Sequence, residues 1–171
     1  MTNFTFDGAH SSLEFQIKHL MVSKVKGSFD QFDVAVEGDI NDFSTLKATA
    51  TIIPSSINTK NEARDNHLKS GDFFGTDEFD KITFVTKSIT ESKVVGDLTI
   101  KGITNEETFD VEFNGVSQKS YGWFSSNRYY CYWYNQQRKY GINFNQTLET
   151  GGVMLGKDVK FEASAEFSIS E

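Results

Sequence analysis

Apolar and polar residues alternate with a period of two along much of the chain. The alternation is clearest in residues 13–19, 32–37, 109–114 and 159–169. This pattern is typical of strands that bury one face and expose the other, as in antiparallel sheets. Turn-forming Gly, Asn and Asp residues separate the stretches, which favours a sandwich or an up-and-down barrel. Further strands are predicted at 46–53, 81–89, 93–101 and 139–146.

One charged stretch departs from the alternation and predicts a helix. Residues 58–70 include Thr59 and Asn61, either of which can cap a helix N-terminus, and Gly71 follows as a stop signal. We therefore expect a short helix over Glu62–Lys69, lying across one end of the sheet structure.

Composition and charge narrow the class of protein. With 171 residues, one proline, 13 glycines and 16 phenylalanines, the chain suits one domain of short strands spanning residues 1–171. The net charge of −7 argues against a nucleic-acid-binding module. No apolar run approaches the about 18 residues of a membrane span, and the first residues do not resemble a signal peptide. A cytoplasmic location is therefore expected. A single cysteine, Cys131, excludes an internal disulfide and a cysteine-based zinc cluster.

Four segments carry a resemblance to a known family. They are residues 7–15, 25–32, 57–74 and 96–104. The most specific is the third, which contains Arg-Asp-Asn-His-Leu followed closely by Asp-Phe-Phe. Over most of residues 7–113 the sequence resembles the YceI-like family.

The resemblance implies both a fold and a ligand. Members of the family are known as eight-stranded antiparallel, lipocalin-like barrels around a long apolar pore, which here would carry a short helix near residues 62–69. The implied partner is a long-chain isoprenoid or acyl lipid, such as a polyisoprenoid, an isoprenoid quinone, or a fatty acid or amide, which the protein would bind, sequester or transport. A homodimer is implied as a possible assembly. No cofactor, metal or nucleic-acid partner is expected.

The interior of such a barrel has two possible uses. Small barrels are often filled by their own side chains, or they enclose a ligand cavity. The residues alone leave both open, and the resemblance favours the cavity. The alternation predicts that the residues facing inward are Phe15, Ile17, His19, Phe84, Leu98, Ile100, Phe109, Phe144 and Phe161. Three further residues, Leu68, Phe73 and Phe74, are expected to close one end.

Few polar residues are candidates for chemistry. The three histidines, His10, His19 and His67, are not spaced as a recognisable metal site. His19 is predicted to face inward, where it is either a satisfied core residue or a contact for a ligand head group. His67 and Arg64 are further head-group candidates, since guanidinium binds phosphate and carboxylate. We favour a structural role for Arg64, as an internal ion pair with Asp65.

No pattern of a catalytic site is present. The sequence lacks a Gly-x-Ser-x-Gly elbow and a phosphate-binding loop. Adjacent His10 and Ser11 would point to opposite faces of a strand. No catalytic residue is assigned. Two alternatives stay open, namely an enzyme acting on a lipid-like substrate in the same pore, with His19 or His67 and Asp65 in acid–base roles, and a filled barrel serving as a stress-related interaction module.

Residues 118–138 differ in composition from the rest of the chain. They hold both tryptophans, the only cysteine and five of the six tyrosines, and their alternation fails, so no strand is predicted there. An aromatic binding surface is one explanation. We favour another, a compensated frameshift in the recorded sequence. Read one base later, the codons of Gln118–Trp123 are compatible with Lys-Asn-Pro-Met-Asp-Gly, a plausible turn. Those of Tyr129–Tyr134 become compatible with Ile or Thr at four positions, Val or Ala at the third and Gly at the fifth, which predicts a β-branched strand.

Overall fold

Strands dominate the structure, which was obtained as a computed structural model describing residues 2–19, 23–113, 116–117, 122–126, 131–133, 139–142 and 155–170. In these residues there is one α-helix, α1 (Glu62–Lys69), and there are short 3-10 turns at Pro54–Ser56 and at residues 139–140. The strands are β1 (Asn3–His19), β2 (Ser23–Phe29), β3 (Phe32–Asp39), β4 (Asp42–Ile52), β5 (Ile57–Asn58), β6 (Ile82–Ile89), β7 (Lys93–Ile100), β8 (Ile103–Asp110), β9 (Val116–Ser117), β10 (Gly122–Ser126), β11 (Cys131–Trp133) and β12 (Leu155–Ser170).

The described strands form two antiparallel sheets. The first has the order β5-β2-β1-β12-β10-β9, with β11 also paired to β12, and the second has the order β3-β4-β6-β7-β8. The first sheet is built on the long pairing of β1 with β12, which brings the two ends of the chain together. The prediction of an all-β antiparallel fold is confirmed. The prediction of one closed eight-stranded sheet is not matched within the described residues, because their hydrogen bonds separate into these two sheets.

Alternation places apolar residues on the face that each strand turns inward. In β7, Val94, Leu98 and Ile100 are buried while their neighbours are more exposed. Gly96 shares this inner face, and a Cβ there would lie 2.8 Å from the Phe84 ring. The absence of a side chain at this position therefore lets Phe84 of β6 pack directly against the backbone of β7.

The helix α1 spans the residues predicted for it. Asn61 is the N-cap, and its side chain accepts a hydrogen bond of 2.9 Å from the Arg64 backbone N–H. Ser70 is the C-cap. The helix lies at the same end of the molecule as the β7–β8 turn, because Lys101 in that turn donates through Nζ to the carbonyl of Gly71 at 2.7 Å. We call this the helix end. The opposite end, with the β3–β4 and β6–β7 turns, is called the turn end.

The core is concentrated toward the helix end. Its buried cluster includes residues from the segment after α1, from β6, β7 and β8 of the second sheet and from the short segment 139–142. The members are Phe73, Ile82, Leu98, Ile100, Phe109, Tyr140 and Ile142.

Two sequence expectations are wrong in the C-terminal third. The recorded residues 118–138 do not alternate and predict no strand, but their backbone contributes β10 and β11, both paired with β12. Of the two, β11 lies within residues 129–134, where the shifted reading frame predicts a strand. A strand was expected over 139–146, but residues 139–142 begin with a short 3-10 turn. Residues 143–146 lie outside the described residues. The strands β10 and β11 form without an alternating side-chain pattern because they pair through backbone groups with the long neighbouring strand β12.

Candidate functional site

An apolar cavity of about 200 Å³ lies between the two sheets. It is lined by residues from β1, β3, β4, β6, β7, β8 and β12 and from the segments that follow β3, β6 and β8. The 24 lining residues are Phe4, Leu13, Phe32, Val34, Val36, Ile40, Phe43, Leu46, Ala48, Ala50, Ile52, Phe84, Thr86, Ile89, Thr90, Val94, Leu98, Phe109, Val111, Phe113, Phe161, Ala163, Ala165 and Phe167.

The chemistry of the lining is almost entirely that of hydrocarbon. Among these described residues none is charged, and Thr86 and Thr90 are the only two with a side-chain hydroxyl. Thr86 Oγ1 accepts from the Ala48 N–H at 2.8 Å, and Thr90 Oγ1 accepts from the Lys93 N–H at 2.9 Å. The cavity therefore offers burial of apolar surface and very little polar recognition.

Small residues create the space. Four alanines line the cavity, two on β4 and two on β12, and each occupies less volume than the larger apolar residues that make up most of the lining. Phe109 packs 5.0 Å from Phe84 and 5.3 Å from Phe161, measured between ring centroids. These rings form the inner limit of the cavity, next to the buried core.

The cavity reaches the surface at the turn end. Thr90, in the β6–β7 turn, lines it and is exposed, and Ile40 in the β3–β4 turn is half-buried. At the inner end Leu98 and Phe109 are only 5% and 7% exposed. Phe43 and Phe113 stand at the turn end with their rings 5.3 Å apart and nearly perpendicular. An apolar chain would thus enter beside these two rings.

The predicted lining residues divide into three groups. Phe84, Leu98, Phe109 and Phe161 line the cavity. Phe144 and the side chain of His19 lie outside the described residues. The remaining predicted residues do not line it and are located nearer the helix end, namely Phe15, Ile17, Leu68, Ile100, Phe73 and Phe74.

The residues at the helix end fill space rather than enclose it. Phe73 and Ile100 belong to the buried core, and Leu68 packs against it. Phe29 contacts both Phe15 and Phe74, with ring centroids 5.5 Å and 5.8 Å away. These aromatic and aliphatic side chains pack against one another, and the empty space lies nearer the turn end.

Arg64 and Asp65 meet at Thr59 instead of forming the predicted direct ion pair. Arg64 Nε donates to Thr59 Oγ1 at 2.8 Å, and Arg64 Nη2 donates to the Thr59 carbonyl at 2.8 Å. Thr59 Oγ1 in turn donates to Asp65 Oδ1 at 2.5 Å. Thr59 is 4% exposed. The direct pair is absent because successive helical residues point in different directions, while the hydroxyl reaches both. Arg64 is thus a structural residue of the α1 start.

The other head-group candidate at this end, His67, is a surface residue. Its Nε2 lies 2.9 Å from Asp72 Oδ2, and its ring contacts the edge of Phe73 at 5.1 Å. The imidazole is remote from the cavity lining. This arrangement links the end of α1 to the segment that follows it.

A bulge in β1 assembles a second group of polar residues. The β1–β12 register shifts between Asp7 and Ser12, and Asp7 Oδ1 accepts the Ala9 N–H at 3.0 Å. His10 Nδ1 lies 2.8 Å from Asp7 Oδ2. The hydrogen bond between the two side chains raises the pKa of His10 and lowers that of Asp7. With Glu166 these groups place three possible metal ligand atoms within 4.8 Å of one another. The direct hydrogen bond accounts for the placement of Asp7 and His10 relative to each other.

The structure contains a buried hydrogen-bonded pair that was not predicted from the sequence. Glu107 of β8 is 7% exposed and accepts a 2.7 Å hydrogen bond from the hydroxyl of Tyr140, which is fully buried. Extending the alternation of residues 109–114 backward places Glu107 on the inner face, so the signal was present. Its partner lies 33 residues further along the chain, and no local pattern identifies it.

Comparison with known proteins identifies the family. A family model described as the YceI-like domain matches residues 4–167. The chain belongs to the YceI-like family. Over their full lengths, it is 88% identical to the UPF0312 protein SAR2769 of Staphylococcus aureus strain MRSA252 and 86% identical to the UPF0312 protein SAUSA300_2620 of strain USA300.

Solved structures share the fold. The Campylobacter jejuni YceI protein is 29% identical with a TM-score of 0.64, and the match covers 96% of this chain and 98% of that one. BcnA of Burkholderia cenocepacia aligns with a TM-score of 0.77 at 18% identity, over 95% and 99% of the two chains. A polyisoprenoid binding domain from Saccharophagus degradans aligns with a TM-score of 0.69 at 11% identity, over 99% and 100%. No helix among the described residues of this YceI-like protein is long and apolar enough to cross a membrane.

Proposed function

We propose that this YceI-like protein binds an apolar chain, isoprenoid or acyl, in the cavity between its sheets. The observation that carries the proposal is a space of about 200 Å³ whose 24 described lining residues include no charged side chain. In this proposal the two sheets act together as an eight-stranded, lipocalin-like barrel, and the whole chain is one binding domain. The name of the Saccharophagus degradans neighbour, a polyisoprenoid binding domain, supports the same ligand class.

The volume limits how much of a ligand the cavity holds. An engineered apolar cavity of about 150 Å³ takes one benzene, so about 200 Å³ corresponds to about eight carbon atoms. Burying eight carbons contributes about 6 kcal/mol at about 0.8 kcal/mol each. This gain is of the same order as the cost of association, about 4–15 kcal/mol. A longer chain must therefore extend through the turn end or widen the cavity, and we propose that it does so.

The mechanism is burial without catalysis. An apolar chain leaves water for a surface of Phe, Leu, Ile, Val and Ala side chains, and this transfer is the driving force. No described group in the lining can act as a general acid or base, so we propose a carrier or a sequestering protein and not an enzyme. The cytoplasmic location and the homodimer stay predictions.

Native and denatured intact mass of protein purified from its own host tests the proposal. Additional mass that is present in the native spectrum and lost on unfolding, and that matches an isoprenoid or acyl species, is the expected result. A second test uses the neutral dye N-phenyl-1-naphthylamine. We expect Phe84→Trp and Phe161→Trp to weaken dye binding, and Val85→Trp, on the outer face where Val85 is 49% exposed, to leave it unchanged. Equal dye affinity in all three variants, together with a bare native mass, would support a filled core instead.

A further inference from the structure

The turn end of the cavity carries a concentration of carboxylates. The segments 39–43, 90–94 and 110–113, which form this opening, contain five acidic residues and one lysine. Every one of these acids is the chain neighbour of a residue that lines the cavity. Neighbouring residues of a strand point to opposite faces, so Asp39, Asp42 and Asp110, at the ends of β3, β4 and β8, point away from the cavity. Glu91 and Glu112 lie outside the strands, where they are exposed and next to lining residues. We call Asp39, Asp42, Glu91, Asp110 and Glu112 the acidic rim.

Most of the negative charge of the acidic rim is not neutralised locally. Lys93 Nζ lies 2.8 Å from Asp110 Oδ1, and within the described part of the chain this is the only ion pair that the rim residues form. Of the remaining four, Asp39 also interacts with the positive charge of the chain N-terminus. The excess of negative charge beside the apolar opening therefore comes mainly from Asp42, Glu91 and Glu112. A cleft lined by charge of one sign attracts ligands of the other sign and repels ligands of the same sign.

Two of the rim carboxylates are held in place by their own turn. Asp39 Oδ1 accepts the Asn41 N–H at 2.9 Å, and Asp42 Oδ1 accepts the Ser44 N–H at 3.0 Å. The backbone hydrogen bond from Asn41 lowers the pKa of Asp39, which keeps it ionised at neutral pH. The charges are therefore fixed beside the opening.

An anionic head group finds no compensating cation in the cavity. No Lys, Arg or His is present among the described lining residues. Arg64, the head-group candidate from the sequence, is at the helix end and bonded to Thr59. A carboxylate or phosphate at the opening would thus face the rim, where the one lysine of the opening segments, Lys93, is already paired with Asp110.

We infer that the acidic rim selects ligands by the charge of their head group, favouring neutral or cationic amphiphiles over carboxylates and phosphates. The inference rests on the proposed function, because it assumes that the apolar tail occupies the cavity. Exposed charges near an opening interact weakly and are screened by salt. We therefore expect about a tenfold preference for a cationic over an anionic head at low ionic strength.

Three probes with the same ten-carbon tail test this selection. Decylammonium, decan-1-ol and decanoate compete with N-phenyl-1-naphthylamine for the whole protein at neutral pH, in low and in high salt. The matched variant carries Asp39→Asn, Asp42→Asn, Glu91→Gln and Glu112→Gln, which keep the hydrogen-bonding shape and remove four charges. We expect the order decylammonium, decanol, decanoate, a smaller spread in high salt, and the loss of most of the spread in the variant.

The outcomes separate this inference from the proposed function. If decanol displaces the dye but decanoate binds as tightly as decylammonium, the charge selection is wrong and the apolar site stands. The same conclusion follows if the four-site variant keeps the full preference. If none of the probes displaces the dye, both the selection and the proposed site are overturned. Unchanged decanol affinity in the variant confirms that its cavity is intact.

Discussion

Enlarging one alanine in the cavity wall should stabilise the protein while weakening ligand binding. Ala50 lies near the end of β4, paired with Val34 of β3 on one side and with Phe84 of β6 on the other, and it lines the cavity. Ala50→Leu directs three more carbon atoms into empty space. Ala35→Leu, on the exposed outer face of β3, is the matched control.

The magnitude follows from the volume of the cavity. At about 24 cal/mol per Å³, an empty space of about 200 Å³ costs up to about 5 kcal/mol of stability. Burying three carbons stabilises the folded state by about 2.4 kcal/mol at most. Fixing the leucine side chain in one conformation costs about 0.5–1 kcal/mol. We expect a net gain of about 1.5–2 kcal/mol for the ligand-free variant. The same three carbons displace ligand, which corresponds to an affinity about fiftyfold lower.

Two measurements on Ala50→Leu and Ala35→Leu test whether the added side chain fills an empty cavity. Urea unfolding of delipidated protein gives the stability, and titration with N-phenyl-1-naphthylamine gives the affinity. If the interior is already filled, Ala50→Leu overpacks it and stability falls by about 1–3 kcal/mol. That result would refute the reasoning, because a loss of affinity would then report damage to the fold. Ala35→Leu should leave both quantities near those of the unchanged protein.

Three further predictions concern the hydrogen bonds of Thr59, Tyr140 and His10. Thr59→Val removes the hydroxyl that joins two charged side chains of α1 and should lower the free energy of unfolding by about 1–3 kcal/mol in urea titrations. Tyr140→Phe should destabilise by a similar amount, since it leaves buried Glu107 without its bond, and the double variant with Glu107→Leu should recover part of the loss. Asp7→Asn should move the NMR-measured pKa of His10 down toward about 6.5. Because folding raises the His10 pKa, its contribution to stability is complete below about pH 6.5 and is lost as the pH rises through the folded value.

The parts of the fold that depend on local chemistry were predictable from the sequence. Asn61 and Ser70 bound α1 as the capping pattern indicates, and period two assigned the inner faces of β6 and β7 correctly. Sheet organisation was not predictable in the same way. It depends on pairings such as Phe4 with Ile169, between residues at opposite ends of the chain, which no local window contains.

Of the candidate site, only its apolar, inward-facing nature could be predicted from the sequence, and the location of the cavity could not. Alternation identifies residues that point inward, but it does not determine where side chains meet and where space remains. Phe15 and Phe84 both follow the inward pattern, yet Phe15 contacts Phe29 while Phe84 lines the cavity. The difference arises from packing between sheets, and in particular from the small alanines, such as Ala163, that line the cavity. Small residues on an inward face carry this information, and a search for them would have improved the prediction.

The aromatic stretch 118–138 is the point at which the composition and the fold disagree. Pairing of β11 with β12 uses backbone groups, so it is compatible with the recorded residues and with the shifted reading frame. Identity of 88% over 171 residues leaves about 21 differences from the Staphylococcus aureus relative, and the stretch is itself 21 residues long. The frameshift hypothesis therefore predicts that nearly all of these differences fall within it.

Tryptophan emission provides a direct test of that hypothesis. Both tryptophans of the chain lie in this stretch, and the codon TGG read one base later begins with GG, which encodes glycine. Protein expressed from the organism's own DNA should thus show no tryptophan emission, and its denatured mass should be below the 19.3 kDa of the recorded chain. Resequencing the coding DNA shows the inserted and deleted bases directly. Normal tryptophan emission with the recorded mass would refute the frameshift, and the aromatic residues would then need a structural or binding role of their own.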